Sequence, residues 1–142
     1  MFASRTTLRP ADVAIRVAIV ALALATGYIH YTLGGLLFTL NALGYLVAAV
    51  AMVIPLAPAV RFRWVIRLGL IGYAATAIVM WAIQGPYYST AYIAKGIEVA
   101  LIFLLVVDFL RADGNPVKVV KREVKATLAK ISRRPAEGAT AA

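Results

Sequence analysis

The sequence predicts an all-α membrane protein: an up-down bundle of four transmembrane helices, followed by a C-terminal amphipathic helix at the membrane interface. Three observations carry that prediction. Hydrophobic residues make up 63% of the chain and mean hydropathy is +0.86, against roughly 45–50% apolar content in soluble domains. Four apolar runs, 13–33, 36–54, 65–83 and 91–110, each approach the ~20 residues a helix needs to cross a bilayer. Nothing alternates with the period of a barrel strand, and a helix satisfies its own backbone groups in lipid.

The elements follow in order. Residues 1–12 form a short N-terminal segment, expected on the cytoplasmic side. Run 13–33 is longer than the apolar core of a secretion signal, so a retained helix is expected. Gly34-Gly35 leaves room only for a tight turn, which makes the first two helices an antiparallel hairpin. Pro55 and Pro58 are expected to end the second helix and stiffen the next link. Gly85-Pro86 breaks the chain before the fourth run. Short links throughout favour up-down connectivity within 13–111.

The net charge of +9 invites a nucleic-acid reading, but the positions of the charges remove the need for one. Arg5, Arg9 and Arg16 flank the first run, and Arg61, Arg63 and Arg67 flank the link between the second and third. Arg111, Lys118, Lys121, Arg122, Lys125, Lys130, Arg133 and Arg134 follow the fourth, while the links at 34–35 and 84–90 carry no charge. Lys and Arg in short loops stay on the cytoplasmic side, so both termini are expected there. Tyr28, Tyr31, Trp81, Tyr87, Tyr88 and Tyr92 would then mark the outer interface and Trp64 the inner one.

Small residues at spacings of three and four predict contact faces. They are Asn41, Gly44, Ala48 and Ala51 in the second helix, Gly69, Gly72 and Thr76 in the third, and Ala23 and Gly27 in the first. Such stripes join helices within one chain or between two.

Ionisable residues inside membrane helices are costly and usually partnered. Lys95 and Glu98 stand at i and i+3, close enough for an ion pair. His30, Asn41 and Gln84 lie at a similar depth in the outer half, so a candidate polar pocket comprises His30, Asn41, Gln84, Lys95 and Glu98. The alternative is purely structural: a snorkelling Lys95, a protonated Glu98 and a helix-bridging Asn41. Asp108, near the opposite end, is expected to pair with Arg111 or with an arginine of the cytoplasmic link.

Specific chemistries lack support. The single histidine does not make a bis-histidine haem site within one chain, and one His with one Glu is short of a closed metal site. Ser4, Ser89 and Ser132 have no accompanying base, and cysteine is absent. No cofactor is expected.

In the tail, 112–134, Pro116 can open a helix. Val117, Val120, Val124, Leu128 and Ile131 recur at three and four, with Lys118, Lys121, Arg122, Lys125 and Lys130 around them. That pattern predicts a helix lying on anionic headgroups of the inner leaflet, with a cytoplasmic docking partner as the alternative. Residues 135–142 are expected to be disordered. The leading functional expectation is a non-enzymatic scaffold or accessory subunit, within a homo-oligomer or a larger membrane complex. A small transporter or ligand-binding protein built on the Glu98 pocket is the alternative, and an enzyme or redox subunit ranks last.

Overall fold

In a computed structural model the described residues are 9–132. Ser4, Arg5, Arg133, Arg134, the tail 135–142 and most of segment 1–12 lie outside them. Six helices form among the described residues: α1 (Pro10–Leu33), α2 (Leu36–Val53), α3 (Ala57–Arg61), α4 (Arg63–Gln84), α5 (Ser89–Ala112) and α6 (Pro116–Ser132). The first five lie wholly or largely in one compact unit reaching Asp108, and a second unit begins at Phe109.

Local chemistry explains the helix ends. Pro10 occupies the first turn of α1, where a missing N–H costs nothing, and Asp12 sits beside the positive end of the helix dipole. Gly34 (φ 71°) and Gly35 (φ 83°) take left-handed conformations that turn α1 back onto α2 within two residues. The hairpin expected there is present. Asn115 accepts a hydrogen bond from the Val117 amide at 2.9 Å, capping α6 directly before Pro116.

Three helices, α1, α2 and α4, are long and apolar enough to cross a membrane. α5 matches α1 at 24 residues but includes Lys95, Glu98, Asp108 and Arg111. Outward-facing side chains such as Val17, Leu37, Val47, Ile83 and Phe103 are more than half exposed. A soluble protein rarely leaves so much apolar surface uncovered.

Packing follows a repeat of alternating three- and four-residue steps. The buried row is Ile19, Ala23, Thr26 and His30 in α1, and Tyr45, Ala49 and Met52 in α2. In α4 it is Arg67, Leu70 and Ala74, and in α5 Ala91, Ala94, Glu98, Leu101, Leu105 and Asp108. Such spacing keeps one seam of each helix facing its neighbours along its length. The middle of the seam is apolar, with Ile19, Ala49, Met52, Leu70, Leu101 and Leu105 in one cluster. Polar residues occupy the seam only towards its two ends.

Several sequence expectations need correction. Pro55 does end α2: Ile54 before it is extended, as a residue preceding proline prefers. Pro58, in contrast, sits in the first turn of the unforeseen helix α3 and starts it. Arg67, expected beside the link at the start of the third run, is buried within α4 at 2% exposed. Gly69, Gly72 and Thr76 are exposed, and nothing lies within 4 Å of a Cβ built on either glycine, so this stripe is not a contact face within the chain. The packed face of α4, formed by Arg67, Leu70 and Ala74, lies beside it. Gly27 and Gly44 do mark close approaches, Gly27 to Tyr45 and Ala42, and Gly44 to the Tyr73 ring.

Candidate functional site

Glu98 stands at the centre of the first polar layer and is fully buried. Its Oε2 accepts a hydrogen bond from Lys95 Nζ at 2.6 Å, one helical turn away. Its Oε1 accepts from Tyr45 Oη at 3.0 Å and from Thr26 Oγ1 at 3.2 Å. A buried carboxylate is tolerated when its oxygens are hydrogen-bonded and its charge is matched, and both conditions hold here. His30 Nε2 lies 3.7 Å from the same Oε1. The other ring nitrogen, Nδ1, is 2.8 Å from the Thr26 carbonyl oxygen. A carbonyl can only accept, so Nδ1 carries a proton and Nε2 is the position left to gain one. The Tyr45 ring packs at 5.7 Å from the imidazole and meets Tyr73 edge-on at 5.0 Å. Tyr73 Oη donates to the Asn41 carbonyl at 3.2 Å, tying α4 to α2.

A cavity of about 400 Å³ lies beside this layer, between the adjoining ends of α1, α2, α4 and α5. Its walls are mostly apolar and aromatic, with Leu37, Phe38, Tyr73, Met80, Trp81 and Tyr88 among them. The polar residues lining it include His30, Asn41, Gln84 and Lys95. Trp81 donates its indole N–H to the Pro86 carbonyl at 2.7 Å and Tyr87 Oη donates to the Ala82 carbonyl at 3.0 Å. The α4–α5 link is thereby stapled to the end of α4, and Pro86, which follows a cis peptide bond, helps close the cavity rim.

Four of the five residues expected in a polar pocket therefore line one cavity. Glu98 does not line it; it lies behind Lys95 and His30 as their common partner. No hydrogen bond joins the Asn41 or Gln84 side chain to this network, so the pocket is a cation on a buried anion with two amides elsewhere on the wall. Thr26 and Tyr45 were missed from sequence. Thr26 stands four residues before His30, and Tyr45 four after Asn41, so the helical repeat itself was the available signal.

The second polar layer lies ten residues further along α5, about 15 Å away. Asp108 Oδ2 accepts a hydrogen bond from Arg67 Nε at 2.6 Å, and Arg16 Nε lies 3.7 Å from Oδ1. Arg67 belongs to the set of arginines expected to meet Asp108. Arg16 was expected only at the mouth of the first helix. Between the layers the seam is hydrocarbon. Among the described residues no three His, Asp or Glu side chains converge as metal ligands.

Fold and site together define a class: an all-helical chain with three helices able to cross a membrane and two buried ionic layers in its core. No protein-family model, curated protein or solved structure matches the chain.

Proposed function

We propose that the chain is a small integral membrane protein in which α1, α2, α4 and α5 each cross the bilayer, and that it binds a small amphipathic molecule in the cavity beside Lys95. The observation that carries this reading is the cavity: apolar and aromatic walls, with one ammonium group held in place by a buried carboxylate. Small-molecule sites combine volumes of about 300–1,000 Å³, apolar linings and a few fixed polar groups in this way. Ionisable residues inside membrane helices also tend to mark ligand or ion paths.

A fourth crossing by α5 follows from length and pairing. Its 24 residues extend about 36 Å, enough to span the hydrocarbon core. Glu98 and Asp108 both face the seam and both have cationic partners, which leaves Val99, Phe103, Val106 and Leu110 for lipid. The distribution of Arg and Lys favours both termini on the cytoplasmic side, so the cavity opens in the outer half. α6 would lie on the inner leaflet: Val117, Val120, Val124, Leu128 and Ile131 are all exposed, with Lys118, Lys121, Arg122, Lys125 and Lys130 available to anionic headgroups.

A second reading, a scaffold or accessory subunit, is favoured by the exposed Gly69, Gly72 and Thr76 on α4, where another helix could approach closely. Native mass spectrometry on protein extracted from its own membrane tests both. A retained small molecule that disappears in Ala77→Phe, which fills the cavity, supports the binding protein. A stoichiometric second polypeptide with no retained ligand supports the subunit instead.

A further inference from the structure

We infer that the ligand of this cavity is a hydrophobic monocarboxylic acid, bound as its carboxylate on Lys95 with uptake of one proton by His30. The inference rests on the cavity being a ligand site and specifies what that site takes.

The argument is one of charge and available donors. Among the residues lining the cavity, the charged side chain is a cation, Lys95. An ammonium group has three N–H donors, and the bond to Glu98 uses one of them. A cationic ligand has no comparable welcome. Glu98 does not line the cavity, so its charge is not offered to a ligand there. An anionic head is thus the complementary chemistry. The aromatic and aliphatic walls formed by Phe38, Met80, Trp81 and Tyr88 suit an apolar body.

Charge balance then selects the proton. With His30 neutral, Lys95 and Glu98 sum to zero, so an arriving carboxylate would leave the layer at −1 in a poorly polarisable setting. His30 can correct this. Its Nδ1 proton is held by the Thr26 carbonyl, and Nε2 already faces Glu98 Oε1 at 3.7 Å. A proton taken up at Nε2 creates one His30–Glu98 pair and one Lys95–ligand pair, and the layer returns to zero. The groups facing the imidazole are Glu98 from α5, Tyr45 from α2 with Tyr73 of α4 behind it, and Thr26 of its own helix. Glu98, with Oε1 3.7 Å from Nε2, is the anion placed to pair with the new charge. No bond other than the N–H forms, and the proton comes from the acid itself or from solvent.

The test is calorimetric titration of decanoate into the full chain in zwitterionic nanodiscs at pH 7.5, with empty nanodiscs as the blank. Two buffers of different ionisation enthalpy report the protons exchanged. The expected result is saturable one-to-one binding with one proton taken up per decanoate. Decanol, with the same chain and no charge, should bind about tenfold more weakly and move no proton, the difference being one hydrogen bond to a charged group. In His30→Gln, decanoate should bind about tenfold more weakly with no proton uptake. Should that variant fail to fold, the comparison of decanoate with decanol on the native chain decides alone. Decanoate binding without a proton, or decanol binding as tightly, overturns the inference and leaves the cavity as a site for some other amphiphile. Neither compound binding while native protein retains another small molecule has the same meaning. Neither binding and nothing retained removes the binding-protein reading as well.

Discussion

At the scale of single residues, the buried ions are the most consequential features of this chain. Removing one member of a buried pair leaves its partner charged in a medium that solvates it poorly, which costs about 3–5 kcal/mol. Asp108→Asn is expected to lose that much, because Arg67 is 2% exposed and stays charged. Glu98→Gln is expected to lose somewhat less, about 3 kcal/mol, since Lys95 borders the cavity and can turn its ammonium towards it. Tyr45→Phe removes one neutral donor from Glu98 and should cost only about 1 kcal/mol. Unfolding of the three variants in one detergent gives the order. A Tyr45→Phe loss as large as that of Asp108→Asn would show that hydrogen bonding, and not charge, dominates the layers. Because both pairs are shielded from solvent, salt should change these values little.

At the scale of elements, the seam of alternating three- and four-residue steps decides which glycines matter. A Cβ on Gly44 would lie 2.5 Å from Tyr73 Oη and 2.8 Å from Cζ, so Gly44→Ala must displace the ring that links α4 to α2. The expected cost is about 1–3 kcal/mol, as for other overpacked interfaces. Gly69→Ala meets open space and lies within a helix, so the same unfolding measurement should show no loss, or a gain of up to about 1 kcal/mol. Cross-linking or mass analysis of Gly69→Ala then addresses the second functional reading. A complex that dissociates while the single chain stays stable would assign the exposed α4 stripe to another helix.

At the scale of the whole molecule, the natural absence of cysteine makes orientation directly measurable. Single cysteines introduced at Thr32, beside the α1–α2 turn, and at Lys125 on α6 should label from opposite sides of the membrane with an impermeant maleimide. The expected pattern is Thr32→Cys from the exterior and Lys125→Cys only after the cytoplasmic side is opened. Labelling of both from one side would mean that α1, α2, α4 and α5 do not all cross, and α5 would be the first to reconsider.

Composition and periodicity alone were enough for the five long helices, the tight Gly34-Gly35 turn, the Pro116 start of α6 and the pairing of Lys95 with Glu98. Each depends on neighbours within a few residues: hydropathy over one span, a left-handed turn, a proline without an N–H, an i to i+3 contact. The partners that arrive from other helices were legible only in three dimensions. Thr26 and Tyr45 stand 72 and 53 residues from Glu98, and Arg67 stands 41 from Asp108. The helical repeat puts Thr26 on the face of His30 and Tyr45 on that of Asn41, but it does not say which face meets Glu98. The third apolar run already held Arg67, and the charge pattern set it beside the cytoplasmic link as one of the arginines open to Asp108. Only tertiary packing buried it and selected it as a partner of Asp108. Short-range sterics and burial tendency are written along the chain, whereas electrostatic partnership across helices exists only once the helices have packed.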